Sequence, residues 1–173
     1  MQSVGGSFEQ SNDVLSIEKW GVPPAGWYKL NVDAAVDKEN GKVGYGAVIR
    51  NSSGQVMAVG VDQGVFSDDV DIAEAEALPF GIRLASETSL SPLMVESDSL
   101  RVIQFISGKC HTRTELFWII SEIQMLILEW ENFQLRHIRR CNHVANVLAK
   151  YALHCSKSSI WLEDYPIFLG CYL

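Results

Sequence analysis

The sequence has no CxxC pair, and its four cysteines, at positions 110, 141, 155 and 171, lack any nearby Cys/His set at zinc spacing. A zinc finger or ribbon is excluded on that ground, and reduced structural thiols are expected. The opening stretch MQSVGGSFEQSNDVL has neither the basic nor the apolar segment of a secretory signal. With reduced thiols this points to a cytosolic or nuclear location. Long apolar runs are also missing: LFWIISEIQMLILEW, Leu116 to Trp130, is interrupted by Glu122 and Glu129 and is shorter than the ~20 residues of a membrane span. Positive charge is scarce, 14 Lys and Arg against 21 Asp and Glu, for a net charge of -7. A broad electrostatic footprint for nucleic acid is therefore absent, and any polynucleotide contact must be local or metal-mediated. Neither an internal repeat nor a low-complexity segment is found.

What is present suits one folded domain. A chain of 173 residues buries roughly 70% of its unfolded surface, and 47% apolar with 20% charged residues is ordinary globular usage. Residues 1–20 show no sustained period and read as a flexible tail or linker, ending at Trp20-Gly21-Val22-Pro23-Pro24. The domain is expected over 21–173. From Trp27 the apolar residues Tyr28, Leu30, Val32 and Ala34 alternate with Lys29, Asn31, Asp33 and Ala35, the period of a half-buried strand that sets Asp33 opposite Val32. DKENGKVG and NSSG are turns around YGAVIR and QVMAVGV, which makes a three-stranded antiparallel meander. Asp71 is the expected N-cap of a helix from Ile72 to about Ser86 that contains Pro79. PLMVES is a buried strand, DSLRVIQFIS a helix, and Thr114 to Trp130 a longer helix with Leu116, Ile119, Ile120, Ile123, Ile127 and Trp130 on its core stripe. FQLRHIRR is a fifth strand and NHVANVLAKYALHC the last helix. This order implies an α/β fold: a five-stranded mixed sheet, three antiparallel strands then two parallel, with helices on both faces.

In that layout Asp33 lies mid-strand, Glu74 in the first helix, Asp98 at the end of the fourth strand and Asn146 near the start of the last helix. Acids at a strand centre and a strand's carboxyl end can converge on one crevice. Oxygen donors of this kind suit Mg²⁺, which takes one or two carboxylates per ion together with substrate phosphate oxygens.

Four segments, KLNVDAAV, AEAEALPFGIRLA, LMVESDSLRVI and RHIRRCNHVANVLAKYA, resemble in order and spacing the blocks of the plant ribonuclease H-like domain related to retrotransposon reverse transcriptases. The resemblance runs from about Trp20 to Leu173 and includes the closing WLEDYPIFL. It implies a ribonuclease H fold and a site of at most two Mg²⁺ ions, with Mn²⁺ as a substitute, that cleaves the RNA strand of RNA/DNA hybrids. Under it the metal ligands are Asp33, Glu74 and Asp98, with Glu74 rather than Glu76 because Ala77, Leu78 and Gly81 follow at the family's spacing. The fourth block, usually NxxADxLAK, reads NHVANVLAK, so Asn146 stands where the family has an Asp. Its amide oxygen can ligate weakly but brings no charge, which implies reduced activity or, in the alternative, a domesticated silent module that binds nucleic acid or protein.

His137 and His143 flank this block; His143 is a candidate for proton transfer or for a simple helix-start role. Arg136, Arg139 and Arg140 form the one dense basic cluster, suited to phosphate or to a solvated face, with Lys29, Lys38 and Lys42 scattered on the first hairpin. Gly44 and Gly46 could let a substrate backbone approach or could merely relieve the hairpin. The basic protrusion of some ribonucleases H has no counterpart between Asp98 and Phe133, so binding is expected to be weak unless a fused or partner domain supplies affinity.

Overall fold

The computed structural model describes residues 20–108, 114–139 and 142–173. Strands β1 (Tyr28–Asp37), β2 (Lys42–Arg50) and β3 (Val56–Val65) lead into helix α1 (Val70–Glu87). Strand β4 (Leu93–Ser97), helices α2 (Leu100–Ile106) and α3 (Thr114–Leu128), strand β5 (Phe133–His137), helix α4 (His143–Ala152) and strand β6 (Ser159–Leu162) follow, and a 3₁₀ turn closes at Ile167–Cys171. The sheet order is β5-β4-β1-β2-β3-β6. β1, β2 and β3 form the antiparallel meander, while β4 and β5 run parallel to β1 on its other side.

The sheet thus has six strands where the sequence pointed to five. Strand β6 adds to β3 as an antiparallel edge through Ala58↔Leu162 and Val61↔Ser159. It escapes sequence reading because it has only four residues, of alternating half-buried and exposed character, and nothing bounds it but an irregular segment.

β1 is buried on both faces rather than half-buried, since it sits at the centre of the sheet. Leu30, Val32 and Ala34 join the larger core with α1, α2 and α3. The opposite face is covered by α4, whose Val144, Leu148 and Ala152 pack on Val48, Val59 and Val61. This close docking depends on Gly44 and Gly46. A Cβ on Gly46 would lie 2.4 Å from the carbonyl oxygen of Ala145, and one on Gly44 would lie 2.2 Å from that of Ala149. Both glycines are buried beneath α4, so the hairpin offers no substrate approach there, a correction to the reading of them as nucleic-acid contacts.

Helix α1 begins two residues before the sequence expectation. Asp69, not Asp71, is the N-cap, and its side chain accepts from the Asp71 N–H at 2.8 Å. The helix then continues through Pro79 as 18 residues; the proline lacks only one donor, and it is buried. Helix α2 is capped by Ser99, which frees Asp98 to stand between strand and helix.

Candidate metal centre

β1 carries Asp33 on the face opposite Val32, and the following elements bring two more acids to it. Glu74 extends from the second turn of α1, and Asp98 follows the last residue of β4, a strand hydrogen-bonded to β1. One carboxylate oxygen from each of Asp33, Glu74 and Asp98 lies within 4.8 Å of the others. Asp33 is buried at the floor, Glu74 is half-buried and Asp98 is exposed at the mouth, so the cluster opens outward from the sheet.

Its electrostatics are set by burial and by the carboxylates' own charges. Burial pushes the Asp33 carboxyl up to about 6, against the hydrogen bond from Asn146, and the charge of Asp98 adds to the rise. Burial, then the charges of Asp33 and Asp98, push Glu74 up to about 8. Asp98 is raised too, by burial, while His137 acts in the opposite direction. A hard divalent cation fits this set: three oxygen donors are grouped within reach of one ion, and it would relieve the desolvation and mutual repulsion that now favour protons.

Asn146 sits on α4 directly over this floor. Its Nδ2 donates to Asp33 Oδ2 at 2.7 Å, so the amide turns a neutral N–H toward the cluster. Asn142, at the N-cap position of α4, donates through Nδ2 to the Val32 carbonyl at 2.7 Å and anchors the helix to β1 next to Asp33. Lys150, one turn past Asn146, is the cation whose charge bears on Asp33. It is a contribution missed in the sequence, where the i, i+4 spacing from Asn146 was the available signal. Glu76 lies elsewhere, accepting from the Tyr45 hydroxyl.

The remaining sequence candidates are spread out. His137, at the end of β5, places Nε2 3.2 Å from the Asp98 carbonyl oxygen. His143 is exposed on the first turn of α4, its ring 5.2 Å from that of Tyr172. Arg136 and Arg139 are exposed, and Arg136 donates to Gln134 Oε1 at 2.7 Å. Arg140 lies outside the described residues. Lys29 is not on the hairpin surface at all: it is 6% exposed and ion-paired with Glu96 at 2.6 Å. Arg101, which sequence reading left unassigned, reaches Asp71 at 3.0 Å and ties α2 to the start of α1.

Fold and site together define a class: an α/β domain with a mixed sheet that collects hard-oxygen ligands beside its central strand. The chain belongs to the reverse transcriptase-like family, whose model matches residues 31–152, and its domain is ribonuclease H-like. Ribonuclease H1 from the halophilic archaeon Halobacterium salinarum superposes with a TM-score of 0.68 at 22% identity, covering 73% of this chain and 97% of that one. The N-terminal ribonuclease H domain of Rv2228c from Mycobacterium tuberculosis gives 0.64 at 22%, over 73% and 93%. LC11-RNase H1 in complex with an RNA/DNA hybrid gives 0.65 at 21%, over 73% and 96%. At such identities the likeness establishes the fold. No curated protein matches the chain.

Proposed function

We propose that this domain is a Mg²⁺-dependent endoribonuclease that hydrolyses the RNA strand of RNA/DNA hybrids and leaves a 3′-hydroxyl. The observation that carries the reading is the grouping of Asp33, Glu74 and Asp98 within 4.8 Å. These three side chains would hold magnesium, or manganese in its place, up to two ions. Bound there, the cation supplies charge neutralisation and Lewis-acid activation at a phosphodiester.

The chain's own residues supply the rest. Asp33 and Glu74, withdrawn from water, present an electrostatic sink that a phosphate alone would avoid. Asn146 holds one Asp33 oxygen through its amide, and because it adds no negative charge it weakens a second ion more than the first. His137 lies at the Asp98 carbonyl, and His143, one turn before Asn146, is the candidate for proton transfer. Arg136 and Arg139 supply phosphate contacts from the β5 side.

A second reading is favoured by Asn146 and by the net charge of -7: a catalytically silent module that keeps the fold to bind nucleic acid or protein. Hybrid cleavage in Mg²⁺ and Mn²⁺ by the unaltered chain, Asp33→Asn and Asn146→Asp separates the two. Cleavage by the unaltered chain that disappears in Asp33→Asn supports the enzyme. Cleavage by Asn146→Asp alone supports the silent module.

A further inference from the structure

On the same face of β1 as Asp33, the two preceding inward positions are not apolar. Lys29 and Asn31 are 6% and 0% exposed, and they meet Glu96 of β4, also 6% exposed. Lys29 Nζ lies 2.6 Å from Glu96 Oε1, and Asn31 Nδ2 donates to Glu96 Oε2 at 3.0 Å. Asn31 Oδ1 accepts from Trp20 Nε1 at 2.9 Å and from Arg50 Nη2 at 3.3 Å. The Trp20 ring lies over the group, 3.7 Å from the Arg50 guanidinium carbon and 5.4 Å from Lys29 Nζ. Lys29 Nζ also donates to the Gly21 carbonyl at 2.7 Å, fixing the lead-in that carries Trp20.

Such a cluster is a poor device for stability. Buried ion pairs lose in desolvation much of what they gain in attraction, and apolar replacements of similar volume are often neutral or better. Its partners, however, are specific. Asn31 and Glu96 are register partners across the parallel β1–β4 ladder. Each lies two residues before a carboxylate of the metal centre, Asp33 in one case and Asp98 in the other. A slip of one residue between these strands would turn one acid to the wrong face. Both Glu96 oxygens and both Asn31 polar atoms are engaged, so the linkage tolerates one register and one spacing.

We propose that Lys29, Asn31 and Glu96, roofed by Trp20, are positioning residues: a cross-strand brace that sets the separation of the Asp33 and Asp98 carboxylates and thereby the affinity of the centre for its divalent cation. The inference rests on the metal-site reading given above. It also assigns the Trp20 lead-in, which lies before the family-matched segment, a part in the site.

Mn²⁺ binding to the full chain, read by electron paramagnetic resonance alongside thermal melting, tests it. The apolar pair Lys29→Met with Glu96→Leu removes the brace and also the carboxylate whose charge supports the buried Arg50 guanidinium, so it should melt lower than the unaltered chain. Where it folds, it should bind Mn²⁺ about tenfold more weakly or worse, the usual effect of lost outer-shell support. The neutral pair Lys29→Gln with Glu96→Gln keeps hydrogen bonds across the strands and should stay within about threefold of the unaltered affinity. Trp20→Ala, which leaves the strands intact, should weaken binding in the same direction and decides the matter should the apolar pair fail to fold. Unchanged Mn²⁺ affinity in a folded apolar pair, or in Trp20→Ala, overturns the brace and leaves the metal site standing. Equal weakening in both pairs overturns it in favour of a charge effect. If the unaltered chain binds no Mn²⁺, the brace and the metal-site reading fall together.

Discussion

At the scale of single residues, protons compete for the oxygens that the proposed cation would occupy. In the metal-free fold Asp33 is raised to about 6 and Glu74 to about 8, both above the ~4 of an unfolded carboxyl. Acids with raised folded-state values take up protons on folding, so their contribution to stability is complete below about pH 4 and is lost as pH climbs through 6 and then 8. In EDTA the melting temperature should therefore fall between pH 5.5 and 8.5 from this cause, and Asp33→Asn should flatten the fall and stabilise the metal-free protein at pH 8 by about 1 to 2 kcal/mol. Melts at the two pH values check this, and a steeper fall in Asp33→Asn would contradict it. Asn146→Asp should act oppositely. It replaces a donor 2.7 Å from Asp33 with a like charge, which costs about 1.5 to 3 kcal/mol without metal, and millimolar Mg²⁺ should recover the loss. The convergence of the three carboxylates was legible in the sequence because alternation, a strand end and a helix turn, taken with the family blocks, placed each of them. The Lys29–Asn31–Glu96 brace was not. A lysine and an asparagine on the polar beat of a strand look like a solvent face, and only the covering Trp20 and the neighbouring β4 reveal otherwise.

At the scale of elements, glycines and helix faces show how closely the site is built. Docking of α4 on β2 positions Asn142 and Asn146 over β1, and it requires no side chain at Gly46, where an added Cβ would meet backbone on two sides at 2.4 Å. Gly46→Ala should thus cost about 3 kcal/mol or more, at the upper end for single substitutions, and should weaken Mn²⁺ binding by lifting α4. Chemical denaturation with metal titration measures both. Helix α3 offers the contrast. Ile123 is fully buried, whereas Trp118 is 69% exposed on the outer side of the same helix. Ile123→Ala should cost about 2 to 5 kcal/mol and Trp118→Ala about 0.5 kcal/mol or less, although the second removes the larger side chain. The helical period of α3 was plain from its apolar stripe. The start of α1 was misplaced by two residues because Asp68, Asp69 and Asp71 all have capping chemistry, and which acid caps depends on backbone direction after β3. β6 was missed for a related reason: an edge strand of four residues is made by its partner β3, not by its own pattern.

At the scale of the whole molecule, charge and fold pull apart. The fold is shared with LC11-RNase H1, which was solved with an RNA/DNA hybrid, while this chain carries a net charge of -7. Nucleic-acid affinity that rests on many Lys and Arg contacts to phosphate falls steeply with salt, by roughly 0.9 in log K per contact for each unit of log salt. Here the exposed cations on the elements around the centre are few among the described residues, Arg136, Arg139, Arg101 and Lys150, and Arg101 is shared with Asp71. Hybrid binding by the Asp33→Asn variant should then be weak and show a shallow salt slope, of magnitude about 3 or less. Binding by the unaltered chain should depend on the divalent ion, best seen in Ca²⁺ with cleavage suppressed. Fusing a basic hybrid-binding domain should raise affinity by about tenfold or more through effective concentration without changing the divalent-ion requirement. Fluorescence anisotropy across a salt series measures the slope, and a steep dependence in the isolated chain would mean that a basic surface, rather than the carboxylate centre and its cation, holds the nucleic acid.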